Sequence, residues 1–418
     1  MQLTETLQKL FSLHQFGIKL GLESTIKLLN YLGNPQKELN CFHVAGSNGK
    51  GSTSSFIASI LTEAKYKVGL YTSPHLLRFN ERIRINGLEI SDDYVLKFMK
   101  LVDKYIDDNS PTFFELTTAM AFMYFADNNI DYAVIETGLG GRLDSTNIIE
   151  PLAVTITTIS LEHTNILGNS LIEIAKEKAS IIKPNSKTFI GLVPEITHNV
   201  FSEYAENANS QTFFLSQYIS DINNLLTLKI LKNEFNIYST PLSGKHQLVN
   251  AALAILTISN SLKNIDSLSI SRGIRKVKEN SGIQCRYEIF SKYPRIIFDS
   301  AHNPEGVESF VEEFKKERKN YSKTILIYGT MKDKDYINSL KSLSSYFDDI
   351  YATTIDYERA ERIENIISKA KDNGIFVRAL HNPSAFIKSY LSEKNSNKCL
   401  VALGSIYILG QVKLKLLS

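Results

Sequence analysis

The sequence predicts an α/β protein of two domains, a larger N-terminal one built on a mostly parallel sheet and a smaller Rossmann-like C-terminal one. Three observations carry this. Short, β-branched apolar runs such as DYAVIET (131–137) and LAVTITTIS (152–160) have the look of strands buried on both faces. They alternate with stretches of helical period. That alternation loosens after residue 211 and restarts at RIIFDSAHNP (295–304), which divides the chain.

In order, CFHVAG (41–46) reads as a strand that ends in a glycine loop, and residues 52–66 as the helix after it. KVGLYTS (67–73) is the next strand. ERIRINGLEI (81–90) alternates around Asn86-Gly87, a strong hairpin signal. Helices are expected over 91–107 and 112–128, strands over 131–137 and 152–160, a helix over 170–182 and a strand over 187–193. Residues 211–242 read as a small antiparallel flap, followed by a helix over 246–260. Beyond a linker at 283–293, strands are expected at 295–304, 323–330, 349–355, 376–380 and 399–405. Helices over 305–319, 335–346, 358–372 and 383–393 lie between them. The domains are thus 1–282 and 294–418.

The chain has 418 residues, 43% of them hydrophobic, and a formal net charge of +3. That charge is too small and too scattered for a nucleic-acid face. Cys41, Cys285 and Cys399 are far apart and odd in number, which excludes a disulfide framework and zinc spacing. The N-terminus lacks a signal-peptide pattern, and the apolar run near 400–409 is too short to span a bilayer. A cytoplasmic protein without membrane or nucleic-acid partners is expected.

The chemistry concentrates at predicted strand ends. Gly46-Ser47-Asn48-Gly49-Lys50-Gly51-Ser52, between a strand and a helix, reads as a phosphate-binding loop, although its spacing is shorter than GxxxxGK[ST]. Its glycines let backbone N–H groups converge on phosphate, Lys50 supplies a point charge, and Ser52 is a candidate Mg²⁺ ligand. Glu136 ends a strand before a second glycine loop, 138–144. His163 and Ser73 stand at the ends of two further strands, where ligands of open α/β sheets bind. FDSAHNP (298–304) puts Asp299 and His302 at the first strand end of the second domain.

The ordered set AGSNGKGST, YTSPH, FNERIRING, TFFELTTAMAF, ETGLGGRLDSTN, EHTNILG, EKASIIKP, SGKHQLVNAA, FDSAHNP, GTMKDKD and LGSIYILG resembles the folylpolyglutamate synthase/dihydrofolate synthase family. That family belongs to the Mur-type ATP-dependent amino-acid ligases. The resemblance implies a P-loop central domain of Mur-ligase type and a C-terminal glutamate-ligase domain. It also implies that ATP activates a pterin carboxylate as an acyl phosphate, which the amine of L-glutamate attacks. The implied substrates are dihydropteroate or a reduced folate, L-glutamate and ATP. The implied ions are Mg²⁺ and a monovalent cation such as K⁺, and the implied state is a monomer.

By position, the resemblance implies that Gly46, Asn48, Gly49, Lys50, Gly51 and Ser52 hold the phosphates, and that Asn250, Arg286, Asp299 and His302 also bind ATP. It implies Ser52, Ser73, Glu136 and His163 as metal ligands, and Lys50, His163 and a carbamylated Lys178 as catalytic residues. The pterin is expected near Lys19, Gly21 and Leu22, near Thr112, Phe113, Phe114 and Glu115, and near Leu143, Asp144 and Ser145, with Leu20 in the first group. Departures from the family pattern are Glu162 in place of Asp, Asn165 in place of an acid, Cys285 in place of Gly, and Lys19. GGRLD with 20–22 resembles the bifunctional members; Lys19 and GNPQ (33–36) resemble those that only extend folate with glutamate. The bifunctional reading is preferred. A peptidoglycan-precursor ligase would need more than the roughly 40 residues that precede the phosphate-loop strand, and a non-catalytic nucleotide switch would not need so many metal-ligand candidates.

Overall fold

The computed structural model describes residues 3–13, 21–220, 226–230, 233–237, 239–393 and 397–417. The chain forms two compact units. The first comprises residues 1–75, 79–241 and 248–283; the second comprises 76–78, 242–247 and 284–418.

The first unit is built on strands β1 (Cys41–Ala45), β2 (Val68–Tyr71), β3 (Ile83–Ile85), β4 (Leu88–Glu89), β5 (Tyr132–Glu136), β6 (Ala153–Ile156), β7 (Lys187–Ile190) and β8 (Gln211–Phe214). Their order is β4-β3-β2-β5-β1-β6-β7-β8. Strands β2, β5, β1, β6, β7 and β8 run parallel, and the β3–β4 hairpin is antiparallel at one edge. Its turn uses left-handed Asn86 and Gly87 (φ 47° and 81°), as the sequence signal required. The central strands are buried on both faces, which is why they read as unbroken apolar runs. Helix Lys50–Glu63 is buried through most of its length because helices Ser267–Arg275 and Val277–Ser281 cover it. A separate antiparallel sheet, β11 (Asn233–Ile237), β10 (Leu226–Ile230) and β9 (Ile219–Ser220), follows β8.

Several boundaries differ from expectation. The helix expected at 91–107 is two helices, Asp92–Leu101 and Asp103–Asn109, broken at the buried Val102. The strand expected to reach residue 160 ends at Ile156, because residues 157–160 leave the sheet and hold the phosphate loop. Helix Lys50–Glu63 starts two residues early, directly after the left-handed Gly49.

The second unit contains β12 (Glu288–Ser291), β13 (Arg295–Asp299), β14 (Lys323–Tyr328), β15 (Asp349–Ala352), β16 (Arg378–Ala379) and β17 (Lys398–Leu403). Their order is β12-β13-β17-β14-β15-β16, parallel apart from the antiparallel edge strand β12. Residues 284–293, expected as linker, belong to this unit: Cys285 lies in its core and β12 pairs with β13. The helix expected from 358 starts at Ile363, because Ala360 bridges to Met331. A last helix, Ile406–Leu417, has no counterpart in the sequence reading. Its Gly410 sits against the Leu76 carbonyl, where a Cβ would collide. Among the described residues no helix is long and apolar enough to cross a membrane.

Candidate active site

The phosphate loop leaves β1 and turns into helix Lys50–Glu63 at Gly49, whose φ of 84° favours glycine. A Cβ there would stand 2.6 Å from Asn250 Oδ1. Asn250, expected as an ATP contact, therefore borders the loop. No side chain caps the helix, so its first N–H groups are not consumed by a cap. Gly51 and the buried Ser52 follow in its first turn.

The loop is held by residues that sequence reasoning missed. Ser47 N–H donates to Thr158 O (2.9 Å), and Asn48 N–H donates to Thr158 Oγ1 (2.9 Å). Asn48 O accepts from Thr157 Oγ1 (2.6 Å) and Thr158 Oγ1 (3.2 Å). Ser47 Oγ donates to Ser160 O and accepts from Ser160 N–H. The end of β6 thus fixes the loop from 110 residues away in the chain.

Three charged groups surround the loop carbonyls. Lys50 Nζ donates to Gly46 O (2.8 Å) and Ser47 O (3.3 Å). Lys178 Nζ donates to the same Gly46 O (3.0 Å) and pairs with Glu162 Oε1 at 2.7 Å. Lys178 is 1% exposed, so it is no surface lysine. Burial pulls its pKa below the ordinary lysine value, with Glu162 opposing and Lys50 adding to the fall. Burial alone would raise the Glu162 carboxyl, but Lys178 and Lys50 hold it at about 2. Glu162, one of the positions that departs from the expected pattern, is thus the partner of Lys178.

Glu136, at the buried end of β5, accepts from Ser73 N–H through Oε2 at 3.1 Å. These two expected metal ligands are therefore neighbours. His163 adopts a left-handed φ of 45° at the start of helix Thr164–Leu167, directly after Glu162. Among the described residues no three His, Cys, Asp or Glu side chains by themselves form a metal-holding group. The expected set is different in kind: hydroxyls Ser52 and Ser73, carboxylate Glu136 and imidazole His163. Its mostly oxygen donors fit a hard cation such as Mg²⁺.

The expected pterin residues fall into three groups. Lys19 and Leu20 lie outside the described residues; Gly21 and Leu22 precede helix Glu23–Tyr31. Thr112 and Glu115 form a capping box that starts helix Phe113–Asp127, Thr112 Oγ1 accepting from Glu115 N–H (3.2 Å) and Glu115 Oε2 from Thr112 N–H (2.6 Å). Phe113 stacks on Phe11 (5.8 Å) with the Arg82 guanidinium 5.1 Å from its centroid, while Phe114 packs near Tyr71 and Gly138. Asp144 is buried between Leu143 and Ser145. Its carboxylate accepts from Gly138 N–H and Leu139 N–H (both 2.8 Å) and from Thr146 N–H and Oγ1, so it shapes its own loop. Burial raises its pKa against those hydrogen bonds. Since Thr146 Oγ1 donates to Asp144, it accepts from the fully buried His43 Nε2 (2.8 Å), a residue that no sequence motif marked.

In the second unit Asp299 accepts from Tyr287 N–H (2.6 Å) and Ala301 N–H (2.7 Å), and burial raises its pKa. Arg286 donates to Cys285 O (3.2 Å) and to Ser300 Oγ. His302 Nδ1 donates to Ser300 O (2.9 Å). Asn303 caps helix Pro304–Arg318 by accepting from Gly306 N–H (2.8 Å).

Residues 44–258 match the Mur ligase middle domain, and residues 285–406 match the Mur ligase glutamate ligase domain. The dihydrofolate synthase/folylpolyglutamate synthase of Bacillus subtilis is 34% identical over 417 residues, covering 96% of each chain. Its Escherichia coli counterpart is 32% identical over 368 residues, covering 87% of this chain and 85% of that one. Among solved structures, E. coli FolC in complex with DHPP and ADP superposes with a TM-score of 0.88 at 28% identity, covering 99% of this chain and 97% of that one. A bifunctional folylpolyglutamate synthase/dihydrofolate synthase with Mn, AMPPNP and L-glutamate bound gives 0.86 at 26%, covering 100% and 98%. By sequence, domain order and fold, this chain belongs to the dihydrofolate synthase/folylpolyglutamate synthase family of Mur-type ligases.

Proposed function

We propose that this protein is an ATP-dependent ligase that joins L-glutamate to the carboxylate of a reduced folate and also converts dihydropteroate to dihydrofolate. The observation that carries the reading is the uncapped helix start at Gly49–Lys50, on the strand beside the one that ends in Glu136. A carboxylate oxygen of the pterin substrate attacks the γ-phosphorus of ATP, and ADP leaves with the bond's electron pair. The glutamate amine then attacks the acyl carbon, phosphate departs, and the amine loses a proton to leave an amide. Such phosphoryl transfer needs positioning and charge neutralisation rather than a covalent nucleophile.

The loop N–H groups and Lys50 cradle the phosphates, with Lys50 exchanging its Gly46 and Ser47 carbonyl partners for phosphate oxygen. Ser52, Ser73, Glu136 and His163 hold Mg²⁺, which supplies further neutralisation of phosphate charge. Asn250, Arg286, Asp299 and His302 bind ATP. The pterin lies against residues 112–115 and 143–145, beside Gly21 and Leu22. Lys178 is the carbamylated position: burial favours its neutral amine, which adds to carbon dioxide and releases its proton, giving up the Glu162 ion pair. Native mass spectrometry in bicarbonate tests it, and an unmodified Lys178 in turning-over enzyme rejects it. K⁺ dependence, a monomeric state and a cytoplasmic location complete the proposal.

The decisive experiment measures phosphate release with ATP, Mg²⁺ and L-glutamate against a panel of dihydropteroate and reduced folates. Release must require both the pterin and glutamate. Release from ATP alone, unchanged by either, overturns the ligase reading; release with reduced folates only removes the dihydrofolate synthase half.

A further inference from the structure

Arg286 lies between two non-glycine residues with left-handed backbone, Cys285 at φ 54° and Tyr287 at φ 47°. A Cβ makes that conformation unfavourable, so surrounding contacts must hold it. Each flank has its N–H taken by a carboxylate. Tyr287 N–H donates to Asp299 Oδ2 (2.6 Å), and Cys285 N–H donates to Glu288 Oε2 (2.9 Å).

Glu288 is itself clamped. Lys413, 5% exposed on helix Ile406–Leu417, donates to Glu288 Oε1 (2.6 Å) and Oε2 (2.9 Å) and to Gln284 Oε1 (2.6 Å). The ammonium pulls the Glu288 pKa below the carboxylate range despite burial that would raise it. The last helix thus reaches 125 residues back to grip Glu288, whose carboxylate holds the Cys285 N–H. With Glu288 gone, the Cys285 N–H loses its acceptor and the strained turn is free to relax, which moves the guanidinium.

We propose that Glu288 and Lys413 are positioning residues that hold the Cys285–Tyr287 turn so that Arg286 presents its guanidinium to ATP. This rests on the ATP reading of Arg286. Cys285 carries a Cβ at a positive φ, so the clamp supplies a rigidity that this strained backbone needs.

The test is calorimetric binding of ATP with Mg²⁺, paired with KM values for ATP, glutamate and the pterin, on R286A, E288M/K413M and the triple variant. Replacing both partners of a buried ion pair with methionine leaves no unpaired charge, which favours folding. R286A is expected to weaken ATP binding about tenfold, as loss of one charge-assisted contact does. E288M/K413M is expected to weaken it about fivefold, with KM for glutamate and pterin within about twofold, and the triple variant to bind no more weakly than R286A. Wild-type binding by E288M/K413M while R286A is impaired, or additive losses in the triple variant, overturns the proposal. Wild-type binding by R286A overturns it one step earlier, by removing Arg286 from the ATP site. If E288M/K413M does not fold, the reversed pair E288K/K413E keeps the charges but denies Cys285 its acceptor. It must show the same ATP-specific loss, and wild-type ATP binding by that variant overturns the proposal.

Discussion

Both units contain a parallel strand that ends in a loop and then a helix, yet they treat the helix start in opposite ways. After β1, Gly49 opens helix Lys50–Glu63 with no side-chain cap. After β13, Asn303 caps helix Pro304–Arg318, and Pro304 at its first turn has no N–H to offer. The first arrangement leaves amide donors and the positive end of the helix dipole for an anion. The second gives one donor to its own cap and lacks another at Pro304, so it has fewer amides to offer a ligand. The same topology thus becomes an anion cradle or a rigid mount according to the residue before the helix.

The largest effect that would break this comparison is loss of Lys50. Lys50→Ala is expected to lower kcat/KM by about a thousandfold or more, since a preorganised cationic contact to the transferring phosphate is removed. Steady-state phosphate release measures it, and near-normal turnover rejects the loop assignment.

The second unit keeps a half-buried histidine neutral near its cationic residues. Burial, with Arg286 and Lys316 adding, lowers the His246 pKa from 6.5 to about 4. The unfolded chain takes up this proton near pH 6.5 and the folded chain not until about 4, so stability is lost as pH falls across that window and levels off below it. The loss attributable to His246 is about 3 kcal/mol at most. Denaturant titration between pH 7 and 4 measures it. His246→Gln is expected to flatten that part of the profile, and an unchanged slope rejects the assignment.

Gly49→Ala sharpens the comparison, because a Cβ at φ 84° also meets Asn250. ATP affinity is expected to fall about thirtyfold, as a strained loop no longer aims its N–H groups. Equal ATP affinity in calorimetry would mean that the loop backbone does not set phosphate binding. The smallest effect is in the other loop: Asn303→Ala removes a cap and costs about 1 kcal/mol of stability. ATP KM should stay within about twofold, and a large rise would mean that this loop also binds through its helix start.

The alternating α/β order and the site motifs were legible because they are local. Gly46–Ser52 carries its conformational requirement in consecutive residues, and Asn86-Gly87 announces its own turn. The bifunctional question was not legible in this way, since GGRLD with residues 20–22 resembles one type of relative while Lys19 and GNPQ (33–36) resemble the other. The last helix was hidden because its apolar run resembles a strand's continuation. Only contact with Leu76 explains Gly410.

By itself the sequence determined the strand-loop-helix order, the glycine-lysine phosphate loop and the acids at strand ends, because each depends on neighbours within a few residues. The tertiary structure alone decided which distant residues hold those loops. Thr157 and Thr158 hold the phosphate loop, Glu162 pairs with Lys178, His43 supports the Asp144 loop, and Lys413 reaches Glu288. The reason is physical. A buried polar group must find a partner, but which one it finds depends on how the chain returns to the same place, and no local pattern encodes that return.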